Sequence, residues 1–327
     1  MSCDIDFQKN GFQTAYLNIA CPRNTSAWGV IPIPIYFFKN GDGPKILMTA
    51  GAHGDELEGP VALKRIVNFL KNKTDDIKGQ VCIVPAMNIP ALNTNTRLSP
   101  LDGRDLNRSF PGMNIETVTG RITEFVSQQL VEPADIVVDL HSGGNSLDFV
   151  PCAIMHKLSD KDMYNKTKNA LEAFNAPYTL ELEEIDADGM LDTYVEKKNK
   201  IFVTTELRGG GRVSPEATNI AETGLKRLLS HFEVLPQIFD QSIQSKVYEV
   251  PGSDNFIHSP QPGIFEPLKS LSENVRAGEV IGYVHNFNSN QDTPLECKSK
   301  VDGEVLAIRA KALSEPGDCL FMIGQAQ

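Results

Sequence analysis

Along the chain, short apolar runs alternate with stretches in which apolar residues recur at spacings of three and four, the pattern of strands separated by amphipathic helices. Residues 31–38, 46–50, 81–85, 135–140 and 201–205 read as strands. Helical spacing covers 60–70 through Leu63, Ile66, Val67 and Leu70, then 116–130 through Ile122, Phe125, Val126 and Leu130, and finally 218–232. The stretch between 141 and 200 is more polar, and no element is read from it. From about residue 241 helical periodicity vanishes. Strand-like runs then alternate with turn signals such as Pro251-Gly252, Pro262-Gly263, Ala277-Gly278, Asp302-Gly303 and Pro316-Gly317. The expected architecture is α/β: a mixed, mainly parallel central sheet flanked by helices over residues 1–240, and a small all-β domain over 241–327.

Composition narrows the function classes. A length of 327 residues exceeds what one hydrophobic core usually supports, in keeping with two units. Hydrophobic residues at 41% and charged residues at 22% exclude disordered, collagen-like and coiled-coil chains. A formal net charge of −11 argues against a nucleic-acid surface and leaves a small molecule as the expected partner. The six cysteines (Cys3, Cys21, Cys82, Cys152, Cys297, Cys319) include no Cys-x-x-Cys pair and read as reduced thiols. No basic patch followed by an apolar run opens the chain, and nothing approaches the roughly 18 apolar residues of a membrane span. A cytoplasmic protein without membrane partners is expected, and a homo-oligomer is compatible with every one of these observations.

The candidate chemistry sits at strand ends. His53 and Glu56 lie in the turn Gly51-Ala52-His53-Gly54-Asp55-Glu56 after the strand at 46–50, and His141 follows the strand at 135–140. A lone His-x-x-Glu is common by chance. A second His at the carboxyl end of another strand, where open α/β sheets bind ligands, changes that balance. Two imidazoles and one carboxylate can hold a catalytic Zn²⁺, one per chain, with a position left for water. Glu206 ends the strand at 201–205, where desolvation would raise its pKa into the range of a general base; an ordinary ion pair with Arg208 is the alternative. The long loop from Asn93 to Gly112 is dense in Asn and Arg, and Asn107-Arg108 reads as a clamp for a carboxylate.

Taken together, His53-x-x-Glu56, Asp105-x-Asn107-Arg108, His141 and Glu206 resemble the succinylglutamate desuccinylase and aspartoacylase family of the zinc carboxypeptidase superfamily, over about the first 240 residues. Ser26-Ala27-Trp28-Gly29, Gly54-Asp55-Glu56-x-Glu58-Gly59-Pro60, Val84-Pro85-Ala86-Met87-Asn88, Ser99-Pro100-Leu101-Asp102-Gly103 and Leu140-His141-Ser142-Gly143-Gly144 are similar, more narrowly, to the N-acetyl-diaminobutyrate deacetylases within it. The resemblance implies Zn²⁺ on His53, Glu56 and His141, with Asp105 supporting the His53 ring. It implies Glu206 as general base, Arg97 polarising the scissile carbonyl with Arg104 a nearby alternative, and Asn107 and Arg108 on the substrate carboxylate.

The implied activity is hydrolysis of a small N-acyl amino acid, N-acetyl-diaminobutyrate foremost. A zinc carboxypeptidase acting on peptides, or a non-catalytic protein binding a metal or small acid, are the alternatives. The C-terminal segment resembles a biotinyl/lipoyl-type β sandwich, but Glu296-Cys297-Lys298-Ser299-Lys300 departs from the modified-lysine pattern, so shaping of substrate access is its expected role. His156, His231, His258 and His285 lack a ligand spacing and receive no role.

Overall fold

The structure is a computed structural model describing residues 2–183, 189–237, 242–287 and 293–327. The expected domain boundary at residues 240 and 241 lies outside the described residues. A long edge hairpin comes first, β1 (Gly11–Ala20) against β2 (Val30–Asn40), followed by β3 (Lys45–Ala50), α1 (Glu58–Lys71), β4 (Gly79–Val84), α2 (Ile89–Thr94), α3 (Val118–Phe125) and β5 (Ile136–His141). The chain continues through β6 (Leu147–Phe149), β7 (Cys152–His156), α4 (Lys161–Phe174), β8 (Tyr178–Leu182), α5 (Leu191–Lys197), β9 (Ile201–Glu206) and α6 (Pro215–His231). The polar stretch therefore contains five elements that sequence pattern does not disclose. The helix expected over 116–130 is also altered: α3 passes into a π-helical segment, Val126–Val131.

Strand order in the main sheet runs β1-β2-β4-β3-β5-β9-β7-β8. Strands β4, β3, β5 and β9 are parallel, β7 enters antiparallel to β9, and β8 is parallel to β7. Strand β5 is buried at every position, as a central parallel strand must be when both faces are covered. Helices α1, α4 and α6 bury Leu63, Ile66, Leu171, Phe174, Leu225 and Leu228 with Met48, Val138 and Val203 on one face. On the other face Leu47, Val84, Val137 and Phe202 pack with Ile122, Val126, Leu191 and Val195.

The remainder is all β: β10 (Lys246–Val250), β11 (Phe256–His258), β12 (Gly263–Pro267), β13 (Asn274–Val275), β14 (Val280–His285), β15 (Leu295–Lys298), β16 (Gly303–Arg309), β17 (Leu313–Ser314) and β18 (Cys319–Ala326). An antiparallel sheet β15-β14-β12-β17 covers β16 and β18, and Phe265, Ile281, Val284, Val305, Phe321 and Ile323 fill the layer between them. Strand β10 pairs parallel with β8 and antiparallel with β18, so hydrogen bonding runs from the main sheet into this unit. Strand β16 also pairs with β6, and Ala310 donates its N–H to the Ser146 carbonyl at 2.8 Å. Lys298 and Lys300 pair with Glu296 and Asp254, at 2.7 and 3.1 Å. No helix among the described residues is long and apolar enough to cross a membrane.

Candidate metal centre and active site

The site grows from three neighbouring parallel strand ends. Ala50 of β3 stands opposite Leu140 of β5, and His141 opposite Glu206 of β9, so the His53 turn, His141 and Glu206 emerge along one edge as expected. The turn after β3 is fixed by close backbone approaches. At Gly54, φ is unremarkable but a Cβ would run into the Ala91 backbone, and its N–H donates to the Thr96 carbonyl at 2.9 Å. That bond delivers the next residue, Arg97, to the His53 turn. Asp55 accepts from the Asn145 N–H at 2.8 Å and ties the turn to the loop after β5.

His53, Glu56 and His141 are buried, and one donor atom from each lies within 4.8 Å of the other two. His53 Nδ1 faces Glu56 Oε1 at 2.6 Å and His141 Nδ1 faces Oε2 at 2.8 Å. The far nitrogens are also engaged: His53 Nε2 meets Asp105 Oδ1 at 3.0 Å, and His141 Nε2 meets Asp139 Oδ2 at 2.8 Å. A carboxylate on each Nε2 places the ring proton there, so the lone pairs of both Nδ1 atoms converge on the lone pairs of Glu56. Such an arrangement is repulsive unless a cation or protons lie between. Two imidazoles, each backed by a carboxylate, plus one inner carboxylate fit Zn²⁺ in both donor type and outer support.

The pKa directions describe the same tension among the side chains. Burial pulls His53 down, but the Glu56 charge and hydrogen bonds to Asp105 and Glu56 hold it above its ordinary value. His141 is raised further, burial being outweighed by the charges of Asp139 and Glu56. Glu56 is held well below the carboxylate range because the two imidazoles overcome its burial. Asp105, against its burial, is lowered to about 2 by its hydrogen bond to His53 and by the charges of His53, Arg97 and Arg108. Glu206 moves the opposite way, pushed up to about 8 by burial and then by the Glu56 charge. Its Oε2 is buried without a hydrogen-bond partner. Arg208 pairs with Asp148 at 2.8 Å, which disposes of the ion-pair alternative for Glu206.

These groups line a cavity of about 220 Å³, together with Arg97, Asn107, Arg108, Ser146, Leu147 and Phe149. Arg97 lies over the donor set, 3.5 Å from Glu56 Oε1 and 3.3 Å from Asp105 Oδ2. Arg97 and Arg104 are both exposed, but Arg104 is not part of the lining. Asn107 and Arg108 sit in a one-turn helix, Leu106–Arg108, capped by Asp105. The wall strand β6 is held by β16 of the C-terminal unit.

Sequence reasoning missed four contributors. Asp139 was legible, since it precedes His141 by two positions and a strand's period places both on one side. His156, given no role above, lines the cavity with Asp192, and Glu196 binds its Nδ1 at 3.1 Å. No spacing links residues 36 and 40 positions apart; only the antiparallel entry of β7 and the placement of α5 bring them together.

The sequence profile of the succinylglutamate desuccinylase/aspartoacylase catalytic domain matches residues 42–232. The N-alpha-acetyl-L-2,4-diaminobutyric acid deacetylase of Halomonas elongata is 37% identical over 326 residues, 99% of this chain and 95% of that protein. The product-bound ectoine utilization protein EutE (DoeB) from Ruegeria pomeroyi superposes with a TM-score of 0.94 at 39% identity, covering 99% of this chain and 98% of its own. A succinylglutamate desuccinylase from Silicibacter sp. TM1040 gives a TM-score of 0.94 at 38% identity, covering 100% and 98%.

Proposed function

This chain belongs to the succinylglutamate desuccinylase/aspartoacylase family, and from that premise we propose that it is a zinc-dependent hydrolase of small N-acyl amino acids, with Nα-acetyl-L-2,4-diaminobutyrate as the leading substrate. His53, Glu56 and His141 hold the ion. Zn²⁺ bound there supplies a water of pKa about 7 and Lewis-acid polarisation of the acyl carbonyl. Glu206 accepts the proton of the attacking water and passes it to the departing amine, a relay for which a carboxyl raised by burial is suited. Arg97 faces the negative charge that develops on the carbonyl oxygen. Asn107 and Arg108 bind the substrate carboxylate, and Asp105 and Asp139 hold the two imidazoles in the tautomer that presents Nδ1.

The observation that carries this reading is the Glu206 carboxyl, set opposite His141 in the strand ladder on a residue that lines the same cavity as His53, Glu56 and His141. The cavity, at about 220 Å³, falls below the usual range for drug-sized ligands and suits a small acyl amino acid better than a peptide. The test is amine release from Nα-acetyl-L-2,4-diaminobutyrate and from a dipeptide panel, with metal-stripped, zinc-reconstituted and Glu206→Gln protein. Zinc-dependent turnover of the acetyl amino acid, lost at least about 10²-fold in Glu206→Gln, is expected. Full turnover by Glu206→Gln, or activity confined to peptides, refutes it.

A further inference from the structure

The cavity has a second charged wall that the proposed chemistry does not use. Asp192, 7% exposed, lines it beside His156 and the apolar side chains of Ile154, Leu182, Met190 and Phe202. Its Oδ1 accepts from the Thr193 N–H at 2.6 Å, and its Oδ2 stands 4.0 Å from His156 Nε2. The His156 Nδ1 lies 3.1 and 3.2 Å from the two Glu196 oxygens, so the ring stands between the two carboxylates. This acidic wall is tied to the carboxylate clamp, because the Leu191 N–H donates to Asn107 Oδ1 at 3.0 Å. One hydrogen bond thus fixes the distance between Asn107 and the start of α5.

We propose that Asp192, on the helix that Asn107 ties through the Leu191 N–H and beside His156, is the specificity residue that receives a cationic side-chain group of the substrate. The cavity then selects N-acyl amino acids carrying an ammonium group over neutral and acidic ones. This rests on the hydrolase reading above and goes beyond it by naming the residue and the charge it selects. Arg108 and Asn107 on one side and Asp192 on the other match a molecule with a carboxylate and an ammonium group. That the cavity is a ligand site stands independently on the convergence of the His53, Glu56 and His141 donor atoms in its lining. Among apolar side chains, a carboxylate–ammonium contact is stronger than in water, and an acidic side chain in the same place meets like charge from Asp192 and Glu196. A neutral isostere forgoes the charge-assisted bond. Sites built around such a bond discriminate strongly against analogues that lack the group.

The experiment measures kcat/KM of zinc-reconstituted wild type and Asp192→Asn on Nα-acetyl-2,4-diaminobutyrate, its neutral isostere Nα-acetylnorvaline, and Nα-acetylaspartate. Asparagine keeps the shape and the acceptor for the Thr193 N–H while removing the charge. Asp192→Asn is expected to lose about 10- to 100-fold on the ammonium substrate, the worth of one charge-assisted hydrogen bond, and less than about threefold on acetylnorvaline. Asp192→Glu, which restores the charge, is expected to recover part of the preference. If melting shows that Asp192→Asn does not fold, Glu196→Gln serves in its place, with a selective loss of about 3- to 10-fold expected from removing the more distant charge. Equal losses on charged and neutral substrates, or a wild type without preference between them, overturn the assignment while leaving the hydrolase reading intact. A wild type inactive on all three overturns both.

Discussion

Replacing Asp139 tests whether the donor set is organised by the hydrogen bonds behind it. Asp139 is 1% exposed; its Oδ2 accepts from His141 Nε2 at 2.8 Å and its Oδ1 from the Thr49 hydroxyl at 2.7 Å. The carboxylate therefore sets both the tautomer and the orientation that aim His141 Nδ1 at Glu56. Asp139→Asn retains an acceptor for Nε2–H, because its amide can donate to the Thr49 hydroxyl instead; only the charge is lost. Asp139→Ala leaves a buried N–H without an acceptor, at a cost of about 1–3 kcal/mol, and frees the ring. Loss of such a partner typically weakens metal binding by about 10- to 100-fold, or about 1.4–2.8 kcal/mol. The zinc dissociation constant, measured by competition with a chromophoric chelator at fixed pH, should rise about 10-fold in Asp139→Asn and toward 100-fold in Asp139→Ala. At saturating zinc, kcat should fall much less, since Asp139 touches no substrate. Unchanged zinc affinity in Asp139→Ala refutes the reasoning, and equal effects of the two variants refute the part that rests on the tautomer.

Gly144 adopts φ +55°, and a Cβ there would lie 2.5 Å from Asp55 Oδ2, so Gly144→Ala should lower stability by about 1–3 kcal/mol in denaturant melts and weaken zinc binding as the His53 turn shifts; an unaltered midpoint would count against it. The raised pKa of Glu206, about 8 in the cation-free protein, favours the folded state below the ordinary carboxylate value near 4.5 and loses that contribution as pH rises toward 8. Metal-free Glu206→Gln should therefore gain on metal-free wild type in melting temperature between about pH 5 and pH 8, and parallel profiles would show that Glu206 keeps an ordinary pKa. Glu304, 4% exposed, accepts from the hydroxyls of Tyr178 and Tyr248 and from Lys246 at 3.3 Å, joining β8 and β10 to β16. Glu304→Ala strands those donors and should cost about 2–5 kcal/mol in urea unfolding; a change below about 0.5 kcal/mol would rule out a structural role for the cluster.

The difference between what sequence revealed and what it hid is physical. Strands β3, β5 and β9 are apolar on both faces and end in a turn or a charged residue, so the pattern discloses both the strand and the ligand at its tip. Strand β1 lies at the sheet edge and alternates exposed and buried positions with Thr, Tyr and Asn among them, so its apolar signal is diluted. Helix α4 buries only Thr167, Ala170, Leu171 and Phe174, too few to rise above its Lys- and Asn-rich exposed face. The same dilution hid α5, and with it Asp192 and Glu196. Asp139 shared its strand with His141, yet a buried Asp within an apolar run draws notice only once the ring it binds is in place.

That pattern of legibility follows a division of labour in the site. In the proposed mechanism the groups that would touch the reacting atoms come mainly from the ends of hydrogen-bonded strands: His141 and Glu206 are partners in one ladder, and β3 leads directly into the His53 turn. A strand ladder fixes its members closely, because a one-residue slip would turn every side chain to the opposite face and expose the core. Hydrolysis of an amide by water requires a base and a donor set at constant separation, whatever acyl amino acid enters, and rigid elements hold such geometry best. The groups that would read the substrate, Asn107, Arg108 and Asp192, come instead from a one-turn helix and the short α5. Loops tolerate replacement without disturbing the sheet, so relatives acting on different acyl amino acids can keep the strand-end residues and vary these. Selectivity engineered into this chain should therefore come from positions 107, 108 and 189–197, while substitution at 141 or 206 removes activity on every substrate alike.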